Sequence, residues 1–151
     1  LDSFEQFQAT RKFSLLINGV PEEVFPLLCP VREKEWIPGW TFDWIYSNSG
    51  LIEECCVFIT QEYDQDTYWF VPDYDPEKKK IVFVHFAPGL LISRFSVLLT
   101  EKEKGKTEII VEYVFNALSK KEKKYIENEL TQELLGKEML GMKSLLNAHL
   151  G

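Results

Sequence analysis

The chain predicts an α+β fold: a seven-stranded antiparallel sheet curved around a long C-terminal helix, with two short helices between strands 1 and 2. Three observations predict it. One alternating strand, Phe7–Ile17, is followed at once by two helical segments that each begin on a proline. Six further strand-like runs, each bounded by a turn, then occupy the chain from Thr41 to Asn116. From Ser119 onward a helical pattern runs to the C-terminus without a proline. A helix of about 30 residues is roughly 45 Å long. It is too long to hide in a small core, so it must lie across the sheet. By length, the 151 residues make one domain, 1–151.

In the first strand Phe7, Ala9, Phe13, Leu15 and Ile17 share one face, while Gln8, Thr10, Lys12 and Ser14 take the other. This is the period-2 pattern of a half-buried strand. Arg11 falls on the apolar face, near its open end. Asn18-Gly19 breaks the strand, and Pro21 begins a helix with Glu22 and Glu23 at its positive end. Pro30 begins the second helix. Pro38 ends it, because a residue ahead of proline leaves the α region. Gly39 then lets the chain turn sharply into Thr41–Ser47. Ser47-Asn48-Ser49-Gly50 reads as a turn, returning Leu51–Gln61 antiparallel as a hairpin. Tyr63–Asp66 turns again into Thr67–Val71, which Pro72 closes as an edge or a strand end. Asp73–Lys79 reads as a polar loop. The strands Ile81–Ala87, Leu90–Thr100 and Ile109–Phe115 follow, joined at Pro88-Gly89 and Glu103–Lys106. Ser119 and Glu122 form an S-x-x-E capping box at the start of the C-terminal helix.

A net charge of −7 argues against a nucleic-acid partner and against a polybasic membrane anchor. The dense basic run Lys120, Lys121, Lys123 and Lys124 reads as a solvated helix start. Three cysteines are an odd number with no C-x-x-C among them, so neither a disulfide framework nor a zinc site is expected. Glu33, Glu35 and Glu53 taken with Cys29 match no familiar metal-ligand spacing, and no cofactor or metal is expected. The N-terminal LDSFEQFQATRK has no apolar core of a signal peptide, and no apolar run reaches the ~18–20 residues of a membrane span. The expectation is a cytoplasmic protein holding reduced, mostly buried thiols.

The block CPVREKEWIPGW, together with IYSNSG, VFIT and the order of the elements, resembles the START/birch-pollen-allergen-like superfamily of helix-grip proteins. This superfamily, also called SRPBCC, includes polyketide cyclases and lipid carriers, and the chain resembles a bacterial branch of it. The resemblance implies a hydrophobic cavity between the sheet and the C-terminal helix. It implies no single activity, since carriers, cyclases and co-chaperone-like proteins share the fold.

The candidate cavity residues are Trp36, Trp40, Trp44, Tyr46, Phe58, Tyr68, His85, Arg94, Tyr113, Leu134, Glu138 and Met142. Trp36 and Trp40 either line the mouth or plug the closed end, each indole N–H meeting a backbone carbonyl. Trp44 and Tyr46 share a face, and adjacent Tyr68 and Trp69 split between faces. His85 shares parity with Ile81 and Phe83 and points inward, as a hydrogen-bonded strand histidine or as a general acid/base. Arg94 either turns inward to a carboxylate or an anionic ligand, or lies on the outer surface. Glu138 sits in the apolar arc of Leu134, Leu135, Met142, Leu145 and Leu146, either as a contact for Arg94 or for the ligand, or in solvent if the helix rotates or ends early. Binding of a lipid-like or aromatic molecule is the leading expectation. The alternatives are an enzyme of the cyclase/aromatase or hydrolase kind working through His85, Arg94 and Tyr113, or a co-chaperone-like interaction domain.

Overall fold

The computed structural model describes residues 6–151; residues 1–5 of the N-terminal stretch read above lie outside the described residues. The chain forms β1 (Gln8–Ile17), α1 (Pro21–Val24), a 3₁₀ turn (Phe25–Leu28), α2 (Pro30–Glu33), β2 (Asp43–Tyr46) and β3 (Val57–Glu62). It continues with β4 (Gln65–Asp75), β5 (Lys80–Ala87), β6 (Leu91–Glu103), β7 (Lys106–Ala117), α3 (Lys120–Glu129) and α4 (Gln132–Leu150). The strands make one seven-stranded antiparallel sheet in the order β1-β7-β6-β5-β4-β3-β2. Only the β1–β7 pairing closes a long stretch of sequence, and every other neighbour is a hairpin.

Period-2 alternation decides which side chains enter the core. On β5 Ile81, Phe83, His85 and Ala87 are buried, while Val82, Val84 and Phe86 take the other face. The outer face still carries apolar residues, including exposed Phe70, Phe86, Ile92 and Leu98. Inside, the buried side chains form two clusters. The larger joins β1 to the helical block around Trp36 and to Met139 and Leu146 of α4. The smaller packs Ile126 and Leu130 against Ala87, Leu91 and Phe115. No helix among the described residues is long and apolar enough to cross a membrane.

Three elements differ from the sequence expectation. The turn after β2 is wide, and β3 begins only at Val57. The Glu53 carboxylate accepts from the backbone N–H groups of Asn48 and Ser49 and from the Ser49 hydroxyl, which organises this loop. Strand β4 runs through Pro72 to Asp75, with a register shift between Phe70 and Asp73 that accommodates a residue without an N–H. The C-terminal helix is interrupted. Ser119 caps α3 as the S-x-x-E box predicts, accepting from the Glu122 N–H. Leu130 then leaves the helical region at φ −106° and ψ 45°, and the Thr131 hydroxyl accepts from the Leu134 N–H to start α4. The Arg11 Nε–H donates to the Leu130 carbonyl at 3.0 Å, satisfying an acceptor that the break sets free. The long C-terminal helix is thus α4 alone, 19 residues.

Candidate functional site

Between the concave face of the sheet and α4 lies a cavity of about 250 Å³. Its floor is aromatic and aliphatic: Phe58 from β3, Trp69 from β4, Phe83 from β5, Phe95 and Val97 from β6, and Val111 from β7. The rings form a connected ladder across the strands. Phe58 stacks on Trp69 at 5.6 Å, Phe83 on Phe95 at 5.6 Å, and Phe95 on Tyr113 at 4.5 Å. The roof is Met139, Met142 and Leu146, which with Leu135 repeat along α4 at i, i+4, i+7 and i+11. That spacing makes one narrow apolar stripe.

The end wall comes from the helical block. Glu33, Trp36, Ile37 and Trp40 all line the cavity, at i, i+3, i+4 and i+7 of a helical path. The backbone supports that path beyond α2, since the Ile37 N–H donates to the Glu33 carbonyl at 2.8 Å. Each indole is anchored: Trp36 Nε1–H donates to the Leu27 carbonyl and Trp40 Nε1–H to the Pro30 carbonyl, both at 2.8 Å. The two residues line the cavity while their N–H groups are satisfied by backbone.

Three ionisable side chains interrupt the apolar lining. Glu62 follows Phe58 and Thr60 on the inward parity of β3, and its carboxylate accepts from His85 Nε2–H at 2.9 Å. In the neutral ring Nδ1 then accepts from the Ser93 hydroxyl at 3.2 Å. His85 is buried and stacks on Trp69 at 4.1 Å, so it stands behind the wall as the group that orients Glu62. The Tyr113 phenol is held neutral, because burial and then the charges of Glu138 and Glu62 raise its pKa above the ordinary tyrosine value. Glu33 differs from both. No hydrogen bond or ion pair reaches its carboxyl from the described residues. It lines the cavity, and burial pushes its pKa up to about 8. At neutral pH Glu33 is mostly protonated.

Of the sequence candidates, the structure brings Trp36, Trp40, Phe58, Tyr113 and Met142 to the cavity. The others lie elsewhere. Trp44 packs edge-on against Phe42 and Phe58 beyond the cavity wall. Tyr46 does not share its face: a register shift between the two residues pairs Tyr46 with outward Val57 and leaves it exposed. Tyr68 pairs with Ile59 and Phe86 on the outer face. Arg94 is also outside, its guanidinium donating to Glu112 at 3.1 Å. Leu134 and Glu138 are exposed, because the buried side of α4 runs through Leu135, Met139 and Leu146 instead. The Arg94–Glu138 contact is therefore ruled out. Sequence reasoning missed Glu33 and Glu62, although both carry a signal: helical spacing to Trp36, Ile37 and Trp40 for one, strand parity with Phe58 for the other. Among the described residues no three His, Cys, Asp or Glu side chains gather into a metal-ligand set. Glu35 is taken by Arg32 and Glu53 by its own loop.

No protein-family model matches the sequence, and no curated protein does. The fold has many solved counterparts. A Thalictrum flavum norcoclaurine synthase point mutant bound to a transition-state analogue aligns over 99% of this chain and 100% of its own, at TM-score 0.71 and 11% identity. Hypothetical protein jhp0584 from Helicobacter pylori aligns over 93% and 88%, at TM-score 0.72 and 10% identity. The structure named Ara h 8.0201 aligns over 95% and 97%, at TM-score 0.64 and 12% identity. At such identities the likeness is one of fold. The chain has the helix-grip fold of the START/birch-pollen-allergen-like superfamily.

Proposed function

We propose that this protein binds a small, largely hydrophobic molecule in the cavity beneath α4. The observation that carries this reading is an aromatic-walled space left unfilled inside an otherwise packed core. Protein interiors pack densely, and an apolar void forfeits dispersion contacts that a ligand restores. Size narrows the class. A cavity of about 150 Å³ takes a benzene ring, so about 250 Å³ suits a molecule of one or two rings rather than a long acyl chain. One of the fold's solved members is an enzyme. Here the lining polar groups are few, so binding is the function that this cavity supports best.

Naphthylmethanol, a neutral two-ring probe, tests the reading by its own fluorescence. Wild-type protein is expected to bind it saturably at one site. Val97→Phe places a ring in the cavity floor and is expected to weaken binding by about tenfold or more, roughly 1.4 kcal/mol, while the fold persists. Absence of saturable binding, or an affinity indifferent to Val97→Phe in a folded variant, overturns the proposal.

A further inference from the structure

Resting on that cavity reading, we infer that the ligand is a small apolar amine whose ammonium group is received by Glu33. The lining residues carry no lysine, arginine or histidine; their ionisable groups are Glu33, Glu62 and Tyr113. A ligand that brings a charge into such a space must bring a positive one, because an anion would meet carboxyl groups without a counter-ion. Glu62 already has a partner in His85. Glu33 has none among the described residues: Arg32 pairs with Glu35, Lys34 lies over the Phe42 ring at 5.3 Å, and His149 of α4 reaches Glu35 at 3.5 Å. The unpaired carboxyl, Trp36 and Trp40 border the same space, and an ammonium gains from both a carboxylate and aromatic rings.

A neutral ligand is the competing case, since a protonated Glu33 donates one hydrogen bond to an alcohol or a carbonyl. The amine carries a definite cost. Its ion pair requires Glu33 to give up a proton, and with a pKa of about 8 this costs about tenfold in affinity at pH 7. A charge-assisted hydrogen bond from ammonium to carboxylate, roughly twice as strong as the neutral one an alcohol makes, with aromatic rings beside it, offsets that factor. The groups facing Glu33 do not obscure the proton count. Across the cavity stand Glu62 from β3 and Tyr113 from β7, and beside it Arg32, Lys34 and Glu35; β1, β4, β5, β6 and α4 contribute no ionisable side chain to the lining.

The experiment compares naphthylmethylamine, naphthylmethanol and naphthoate, which share a ring system, on wild type and on Glu33→Gln from pH 6 to pH 8.5. The amine is expected to bind tightest at pH 8 and naphthoate weakest throughout. Amine affinity should rise by about tenfold per pH unit up to about pH 8 and then level. Calorimetry in two buffers should show about one proton released per amine bound below pH 7. In folded Glu33→Gln the amine should lose both its advantage over the alcohol and its pH slope. If the alcohol binds and the amine binds no better, or if its slope survives in Glu33→Gln, the amine assignment falls while the cavity reading stands. If no probe binds, both fall.

Discussion

Glu33 makes this molecule's stability depend on pH in an uncommon direction. Its folded pKa, about 8, lies above the ordinary value of 4.5, so the folded state keeps a proton that the unfolded chain gives up. The stability tied to that proton is fully present below pH 4.5 and is lost as the pH climbs through about 8. Between pH 5 and pH 8.5 the free chain is expected to lose on the order of a few kcal/mol relative to Glu33→Gln, less than the full shift because the carboxyl faces a space that water enters. Chemical denaturation of both proteins across that window measures it, and parallel profiles would refute it. Gly39 poses a second residue-scale question. It sits at φ +73°, and a Cβ placed there meets nothing within 4 Å. Conformation alone therefore sets the cost of substitution. Gly39→Val is expected to destabilise by about 1–2 kcal/mol or more, and Gly39→Asn by less, since asparagine tolerates the left-handed region. Equal melting of both variants and wild type would show that the corner relaxes freely.

At the scale of elements, what was legible in the sequence followed from whether a local rule had a tertiary competitor. The seven strands were readable because alternation survives burial, and the two short helices because Pro21, Pro30 and Pro38 act locally. The break between α3 and α4 was not, although Thr131 followed by Glu133 has the form of a second N-cap with an acid in the first turn. A continuous helical pattern hid it, and Arg11, distant in sequence, holds the freed Leu130 carbonyl. Within α4 the buried side runs through Leu135, Met139 and Leu146 rather than along the arc that holds Glu138. The helical stripe from Glu33 to Trp40 was equally available, yet Pro38 masks it, because the path bends out of helix inside the repeat. Thr131→Ala is expected to cost about 1 kcal/mol through the lost cap, and Thr131→Ser almost nothing. A Thr131→Ala protein as stable as wild type would mean that the Arg11 contact alone positions α4.

Across the whole molecule the two apolar clusters divide the labour. Cluster packing around Ile126 and Leu130 ties α3 to the ends of β5, β6 and β7, and none of its buried members lines the cavity; Tyr113, which does, packs against both clusters. The larger cluster holds the cavity, and the parts of it that cover the sheet are α4 and the block from Pro30 to Trp40. Where the cavity stands, Met139, Met142 and Leu146 lack packing partners beneath them, so these covering elements give up contacts that α3 retains. Local opening free energy follows such contacts, and it is lowest where apolar packing is thinnest. A molecule that fills the cavity supplies the missing contacts to the roof and end wall, and adds nothing local beneath α3. Saturating naphthylmethanol is therefore expected to slow amide hydrogen exchange in residues 132–150 and 30–40 more than in residues 120–129. Hydrogen–deuterium exchange followed by peptide mass analysis reads this directly, under conditions where exchange occurs by local rather than global opening. Uniform slowing of all three segments would mean that the molecule opens only as a unit, and that α4 is no looser over an empty cavity than α3 is over a filled core.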